Sequence, residues 1–439
     1  MRTHLPALAV LLFSHACTPS AESSPAATCS VPTGAGTRHG GDDITTDVTW
    51  SAAGSPHIVT FSPTVRPTGT LHLEPCATVL FEAGVGMQIA GRLEALGTAS
   101  RPITMAASDA ARPFGYIEVR GGFADLAYVT LNNGGAPGPN SNAMLDVWGA
   151  STPQRTQNAR LRHVTIVGSA QFGLTLERSG TLTDDSTGLT IRGAVGGPIN
   201  VRGPALAHGI PEGTYTGNTV DEILVMATSE MAEDTTWHDR GVPYRIGDTQ
   251  GNGMDFRVGL STGSTLATWT LEPGVNIRVS PAGRVRFQAN AAAINGSLIA
   301  QGTAASPIVF TSAVTPAVAG QWRGLVFEAT NAASTTLDHV EIRYAGGPSQ
   351  ANSFHCQPGS PNGAFSANED AALGVFGQPT GAFLRNSTLA DSAGDGVNLA
   401  YRGDSVDFLA GNTFTAVRCR QTLPRSRTGA CPSPVPDCP

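Results

Sequence analysis

An eighteen-residue phrase occurs twice in this chain, and any fold must accommodate both copies. GRLEALGTASRPITMAAS, Gly91–Ser108, returns without a gap as GSLIAQGTAASPIVFTSA, Gly296–Ala313. Other anchors extend the match in the same order. Asp47–His57 parallels Asp234–Tyr244, and Thr70–Phe81 parallels Thr268–Val279. ADLAYVTLNNGG parallels TTLDHVEIRYAGG, and Ala159–Leu176 parallels Ala382–Leu399. The offset grows from 187 residues (Asp47 to Asp234) to 223 (Ala159 to Ala382), so insertions lie between anchors and not inside them. Ordered self-similarity of this kind is a tandem duplication, here of a unit of roughly two hundred residues.

Within each unit apolar residues alternate with polar ones. Leu93 and Ala95 alternate with Arg92 and Glu94, and Leu298 and Ala300 with Ser297 and Ile299. Short period-two runs bounded by Gly, Pro, Asn and Ser predict short strands between turns. Helical spacing over three turns is scarce, and no Asn-Gly or Asp-Gly hairpin signal recurs. Stacked coils of two or three strands each satisfy this pattern, with every strand pairing to the coils above and below. Roughly five or six coils per unit would make a rod of roughly 50–60 Å. Leu298, Ala300, Ile308 and Phe310 are expected to face the core. Gly97 and Gly302 are expected to turn a corner with φ > 0. Pro102 and Pro307 would open the next strand, where a missing N–H is tolerated.

Composition narrows the function. Only 14% of residues are charged, the formal net charge is -7, and all 27 basic residues are arginine. That balance excludes a polybasic nucleic-acid binder. The phrase G-x-L-x-A-x-G-T-x-x-x-P-I-x-F-T, with QWRGLVFE and TTLDHVEIRYAGG after it, resembles bacterial right-handed parallel β-helix proteins of the pectate lyase-like superfold. It is most similar to their tandem-unit exported lipoproteins, over roughly Asp42 to Val417. The resemblance implies a right-handed parallel β-helix and leaves activity open.

The N-terminus reads MRTHLPALAVLLFSHAC. Arg2 and His4 precede an apolar run, Leu5–Phe13, too short to span a bilayer, which needs about 20 apolar residues. Residues 1–16 are therefore expected to be an export signal. Ser14-His15-Ala16 suits ordinary cleavage, whereas Ala16-Cys17 is a loose lipobox with Ser14 where leucine is usual. Parity of the seven cysteines favours lipidation of Cys17, because six then remain to pair in an oxidising compartment. Residues 17–41 would form a tether and N-terminal cap, 42–232 the first unit, 233–418 the second, and 419–439 a Pro-rich tail. The expected location is the outer membrane or cell surface, with secretion or the periplasm as the alternative.

A solenoid must protect its end coils. Cys29 precedes the first coil and is expected to pair with Cys76, whose counterpart in the second copy is Gly274. Cys356 is expected to pair with Cys419, and Cys431 with Cys438 in a small loop, although six cysteines allow fifteen pairings.

Candidate chemistry is sparse. Asp391 and Asp395 in ADSAGDGVNL are near neighbours on a turn, and paired carboxylates are what a glycosidase needs. Asp395-Gly396 is also a good turn pair in its own right. The Gly-His-Gly and Arg-Ile-Lys elements of polygalacturonase-like β-helices are not found in the chain. Adjacent carboxylates in Arg38–Asp43 and Thr183–Ser186 suit solvated turns better than calcium, because no Asp-x-Asp-x-Asp-Gly loop accompanies them. His163 and His339 recur on different coils without zinc spacing. Arg402-Gly403-Asp404 reads as a turn rather than an adhesion ligand. Trp237, Trp322 and Tyr344 are considered as exposed platforms for sugar rings, though the shared anchor of Trp50 and Trp237 favours packing. The insertion Gly347–Gly377 is where the copies differ most. No metal or cofactor is expected. The expected role is a membrane-anchored rod that is structural or binds polysaccharide or another surface ligand. The alternative is a polysaccharide lyase or glycoside hydrolase on the same scaffold.

Overall fold

The computed structural model describes residues 28–138, 142–150, 155–288, 294–328, 332–349, 355–356 and 370–438. Among them the strands form five sheets of thirteen, eight, six, five and five members. Every pairing between these strands is parallel, and each strand inside a sheet pairs with the coils before and after it. The chain is a parallel β-helix. Thirteen rungs at about 4.8 Å give the longest sheet a height of roughly 58 Å.

The period-two pattern predicts which side chains fill the interior. Leu93, Ala95, Ile103 and Met105 are fully buried, as are Leu298, Ala300, Ile308 and Phe310 in the second copy of the phrase. Equivalent residues of successive coils stack: Leu71 faces Leu93 on one pair of rungs, and Leu126 faces Leu161 on another pair in the same sheet. Burial of each such side chain stabilises the stack by about 1.5–3 kcal/mol.

The Gly-Thr corner differs from the expectation. Neither Gly97 nor Gly302 has a positive φ. Glycine is needed there because the next coil passes too close. A Cβ on Gly302 would stand 2.6 Å from the His339 carbonyl oxygen, and one on Gly97 3.0 Å from that of Tyr128. The left-handed corner residues are instead Tyr128 (φ 49) and His339 (φ 51) themselves. The following threonine closes the loop. Thr98 and Arg101 exchange backbone hydrogen bonds, and Arg101 N also donates to Thr98 Oγ1 at 3.1 Å. Thr303 and Ser306 repeat this arrangement at 3.0 Å. Pro102 and Pro307 stand directly before the strands Ile103–Ala107 and Ile308–Ser312.

The copies are not stacked face on face. The strand Ile103–Ala107 belongs to the eight-stranded sheet, whereas its repeat partner Ile308–Ser312 belongs to the thirteen-stranded one. Phe172–Glu177 lies in the thirteen-stranded sheet, but its partner Asp395–Leu399 lies in a sheet confined to the second unit. The second unit therefore sits on the first with its faces stepped round by one. The step occurs in an irregular coil, where a 3-10 helix, Pro204–Gly209, stands in place of a strand. Trp237 closes over it and donates its indole N–H to the Pro204 carbonyl at 3.2 Å.

Both ends are pinned. Cys29 bonds to Cys76, as expected. Cys76 has a φ of 76° and its counterpart Gly274 one of 89°, so the cysteine keeps the backbone of the glycine corner. The other two pairings correct the expectation: Cys356 bonds to Cys431, and Cys419 to Cys438. The reason is the path of the C-terminal segment. It continues the stack, with Gly396 N and Val397 N bonding to the carbonyls of Cys419 and Arg420. It then brings Leu423 antiparallel to Cys356, whose N–H donates to the Leu423 carbonyl at 2.7 Å.

Candidate functional site

The carboxylates singled out from the sequence have separate architectural explanations. Asp391 (φ 54) is a left-handed corner residue at the position of Gly168 (φ 71) in the first copy. Asp395 stands inside the strand Asp395–Leu399 and is fully buried. Its carboxylate accepts from Nε and an Nη of Arg418 at 2.8 and 2.7 Å. Burial pushes this carboxyl above its ordinary range, against the downward pull of Arg418.

The other candidates are also engaged in structure. Asp43 pairs with Arg66, and Asp404 of the Arg-Gly-Asp triplet pairs with Arg427. His163 and His339 are left-handed corners on different coils, and the His163 ring stacks on Tyr128 with centroids 4.6 Å apart. Trp237 and Trp322 are fully buried, which removes them as exposed platforms. Tyr344 is half-buried at a left-handed corner. The export segment and Cys17 lie outside the described residues, as does most of the insertion Gly347–Gly377.

A recess opens where the corner geometry fails. At this corner the regular coils place between the two strands either a single residue, Tyr128 or His339, or a six-residue loop closed by the Gly-Thr motif, Gly97–Pro102 or Gly302–Pro307. After Gly180–Leu182 the gap widens to Thr183–Gly188, and after Thr235–Trp237 to His238–Pro243. Between them comes the end of the 3-10 helix. Three widened corners in succession leave two adjoining recesses of about 400 and 390 Å³, within the range of small-ligand pockets. Asp184, Asp185, Glu212, His208, His238 and Arg240 line the first. Arg155, Gln157, Thr181 and Glu233 line the second, which shares Asp184 and His208 with the first.

The polar contacts of this cleft are specific. His208 Nδ1 lies 3.3 Å from the Thr236 carbonyl, which can only accept. Burial, and then the charge of Arg155, hold this imidazole below its ordinary range, so at neutral pH its Nε2 is an acceptor. His238 lies beside it, with ring centroids 5.7 Å apart, and its Nδ1 meets Glu272 Oε1 at 2.7 Å. Arg155 reaches Glu233 at 3.2 Å and donates to the carbonyls of Ala205 and Asp234. Gln157 donates to Asp184 at 3.0 Å, and Arg160 lies 3.4 Å from Asp185. Arg240 Nε donates to the Ile210 carbonyl at 2.9 Å. The Thr181 hydroxyl is buried and has no hydrogen-bond partner among the described residues. Among the described residues no three His, Cys, Asp or Glu side chains gather as metal ligands.

Sequence reasoning reached Asp184 and Asp185 but not Arg155, His208, Glu212, His238 or Arg240. The available signal was negative: GPALAHGIPEG, Gly203–Gly213, interrupts the period-two pattern. Comparison with family models, curated sequences and solved structures yields no significant match. The assignment to the parallel β-helices therefore rests on strand topology.

Proposed function

We propose that this chain is an exported rod, lipid-anchored at Cys17, that binds saccharide at the cell surface and does not cleave it. The observation that carries the reading is the fate of Asp395. A glycosidase needs two carboxylates facing one bond, one of them free to exchange a proton. Asp395 is buried against Arg418 inside a strand. Other carboxylates on the coils are similarly neutralised by arginines. Asp255 meets Arg257, Arg284 and Arg286 at 2.8, 3.0 and 3.1 Å, and Asp125 meets Arg160 and Arg162. Such ladders serve a stack of coils. The disulfides at both ends are compatible with export.

The test is incubation of the mature protein with neutral and acidic polysaccharides, scoring retention and product release separately. Retention without new reducing ends or unsaturated products is expected. Product release abolished by Asp391→Asn or Asp395→Asn would assign the chain to the lyases or hydrolases instead. Metabolic labelling with a fatty-acid probe reports the anchor, and a mature protein that begins at Cys17 without label would remove it.

A further inference from the structure

We propose that the cleft between the two units binds a neutral, hydroxyl-rich saccharide, with the Thr181 hydroxyl as a hydrogen-bonding partner at its wall. The proposal rests on the saccharide-binding reading above and gives it a place and a ligand class. Charge sets the class first. Asp184, Asp185, Glu212 and Glu233 face Arg155 and Arg240, so four carboxylates meet two arginines in the lining, with Arg160 behind it on Asp185. A polyanion gains nothing from such a site.

Hydrogen-bonding capacity sets it further. Arg155 is already engaged by Glu233 and two backbone carbonyls, and Arg240 Nε by a third. The groups that remain toward the cleft are mostly acceptors: the carboxylates of Asp184 and Glu212, and His208 Nε2. Sugar hydroxyls supply the donors that such a lining needs.

Thr181 is the independent observation. It is 5% exposed, lines the cleft, and its Oγ1 finds no partner among the described residues. Buried hydroxyls are nearly always paired, so an orphan beside a recess marks a partner that comes from outside. A hydroxyl both donates and accepts, which matches a sugar hydroxyl on either side of the bond. Gly209 packs directly against this hydroxyl, because a Cβ there would stand 1.8 Å from Thr181 Oγ1.

The experiment measures binding of amylose, laminarin and galactomannan as neutral probes, and polygalacturonate and alginate as acidic ones, to the mature full-length chain. Thr181→Val keeps the shape and removes the orphan, so its melting temperature should hold or rise while affinity for the neutral probe falls about tenfold. Glu212→Gln and the cleft-filling Thr187→Trp change exposed residues and serve if Thr181→Val fails to fold; both should weaken the same probe. Equal retention of a neutral probe by wild type, Thr187→Trp and Glu212→Gln overturns the site but leaves surface binding standing. Retention of acidic probes alone overturns the ligand class. Retention of no probe overturns both this inference and the saccharide-binding reading.

Discussion

Asp395 occupies the strand position that Phe172 holds in the first unit, and Arg418 binds its carboxylate with two charge-assisted hydrogen bonds of 2.8 and 2.7 Å. The serine before it is common to both copies. Ser169 and Ser392 each donate to the carbonyl three residues on, which belongs to Phe172 and Asp395 respectively. The backbone frame is thus retained while an apolar side chain is exchanged for half of an ion pair. Asp395→Asn removes the carboxylate charge that Arg418 binds and should cost about 3 kcal/mol, the low end for a broken buried pair because the Arg418 side chain is 38% exposed. Asp395→Phe with Arg418→Leu should recover most of the loss. Urea denaturation of the three proteins checks both statements.

The Cys29–Cys76 bond closes a separation of 47 residues at the first coil. Removing it with Cys29→Ser and Cys76→Ser should cost at most about 4 kcal/mol on loop-entropy grounds. The loss should be local. Amide exchange should accelerate in Thr37–His39 and His57–Val59 and remain slow in the central rungs. Peptide mapping of the unreduced protein should recover Cys356 with Cys431 and Cys419 with Cys438.

Acid should loosen the same end. His57 Nε2 donates to the Ser51 carbonyl at 2.8 Å, so its Nδ1 accepts from His39 Nε2 at 3.0 Å. Burial lowers the proton affinity of both rings; for His39 the neighbouring His57 lowers it further. The folded state therefore binds fewer protons than the unfolded chain. The stability this pair contributes is intact above its ordinary value of 6.5 and drains as pH falls through the lowered folded values. Thermal unfolding should show a drop of about 1 kcal/mol below pH 6 from the lost hydrogen bond. His39→Phe retains a ring against Trp50, which His39 stacks upon at 4.0 Å, and should flatten the dependence.

The two corner glycines should differ in tolerance. Gly302→Ala drives a methyl group to 2.6 Å from a backbone oxygen, and Gly97→Ala to only 3.0 Å. The first should destabilise by about 2–3 kcal/mol and the second by about 1, as overpacking against backbone does. Equal midpoints in urea would contradict this origin for the Gly-Thr motif.

What the sequence disclosed follows the range of the interactions involved. Leu93, Ile103, Leu298 and Phe310 declare their side of the strand because alternation is local. Cys76 declared its partner through the repeat, since its counterpart is Gly274. Cys419 and Cys431 did not, because their partners depend on how the last segment folds back past Leu423. Asp391 and Asp395 look alike in the chain, and only the strand boundary separates a corner from a buried pair. The cleft was hidden for the same reason: Thr181, His208 and His238 are brought together by three coils whose corners share no motif.

The one-face step between the units changes what duplication provides. Along the thirteen-stranded sheet, one column runs from the buried Glu118 and Asp146 in the first unit to Arg245 and Arg278 in the second, so it changes character along the stack. A flank that repeated would offer a partner the same footprint twice. Here the matching faces of the two copies belong to different sheets and so point along different azimuths. Duplication here provides reach without bivalency, and a ligand lying along one side should bind with a stoichiometry of one per chain.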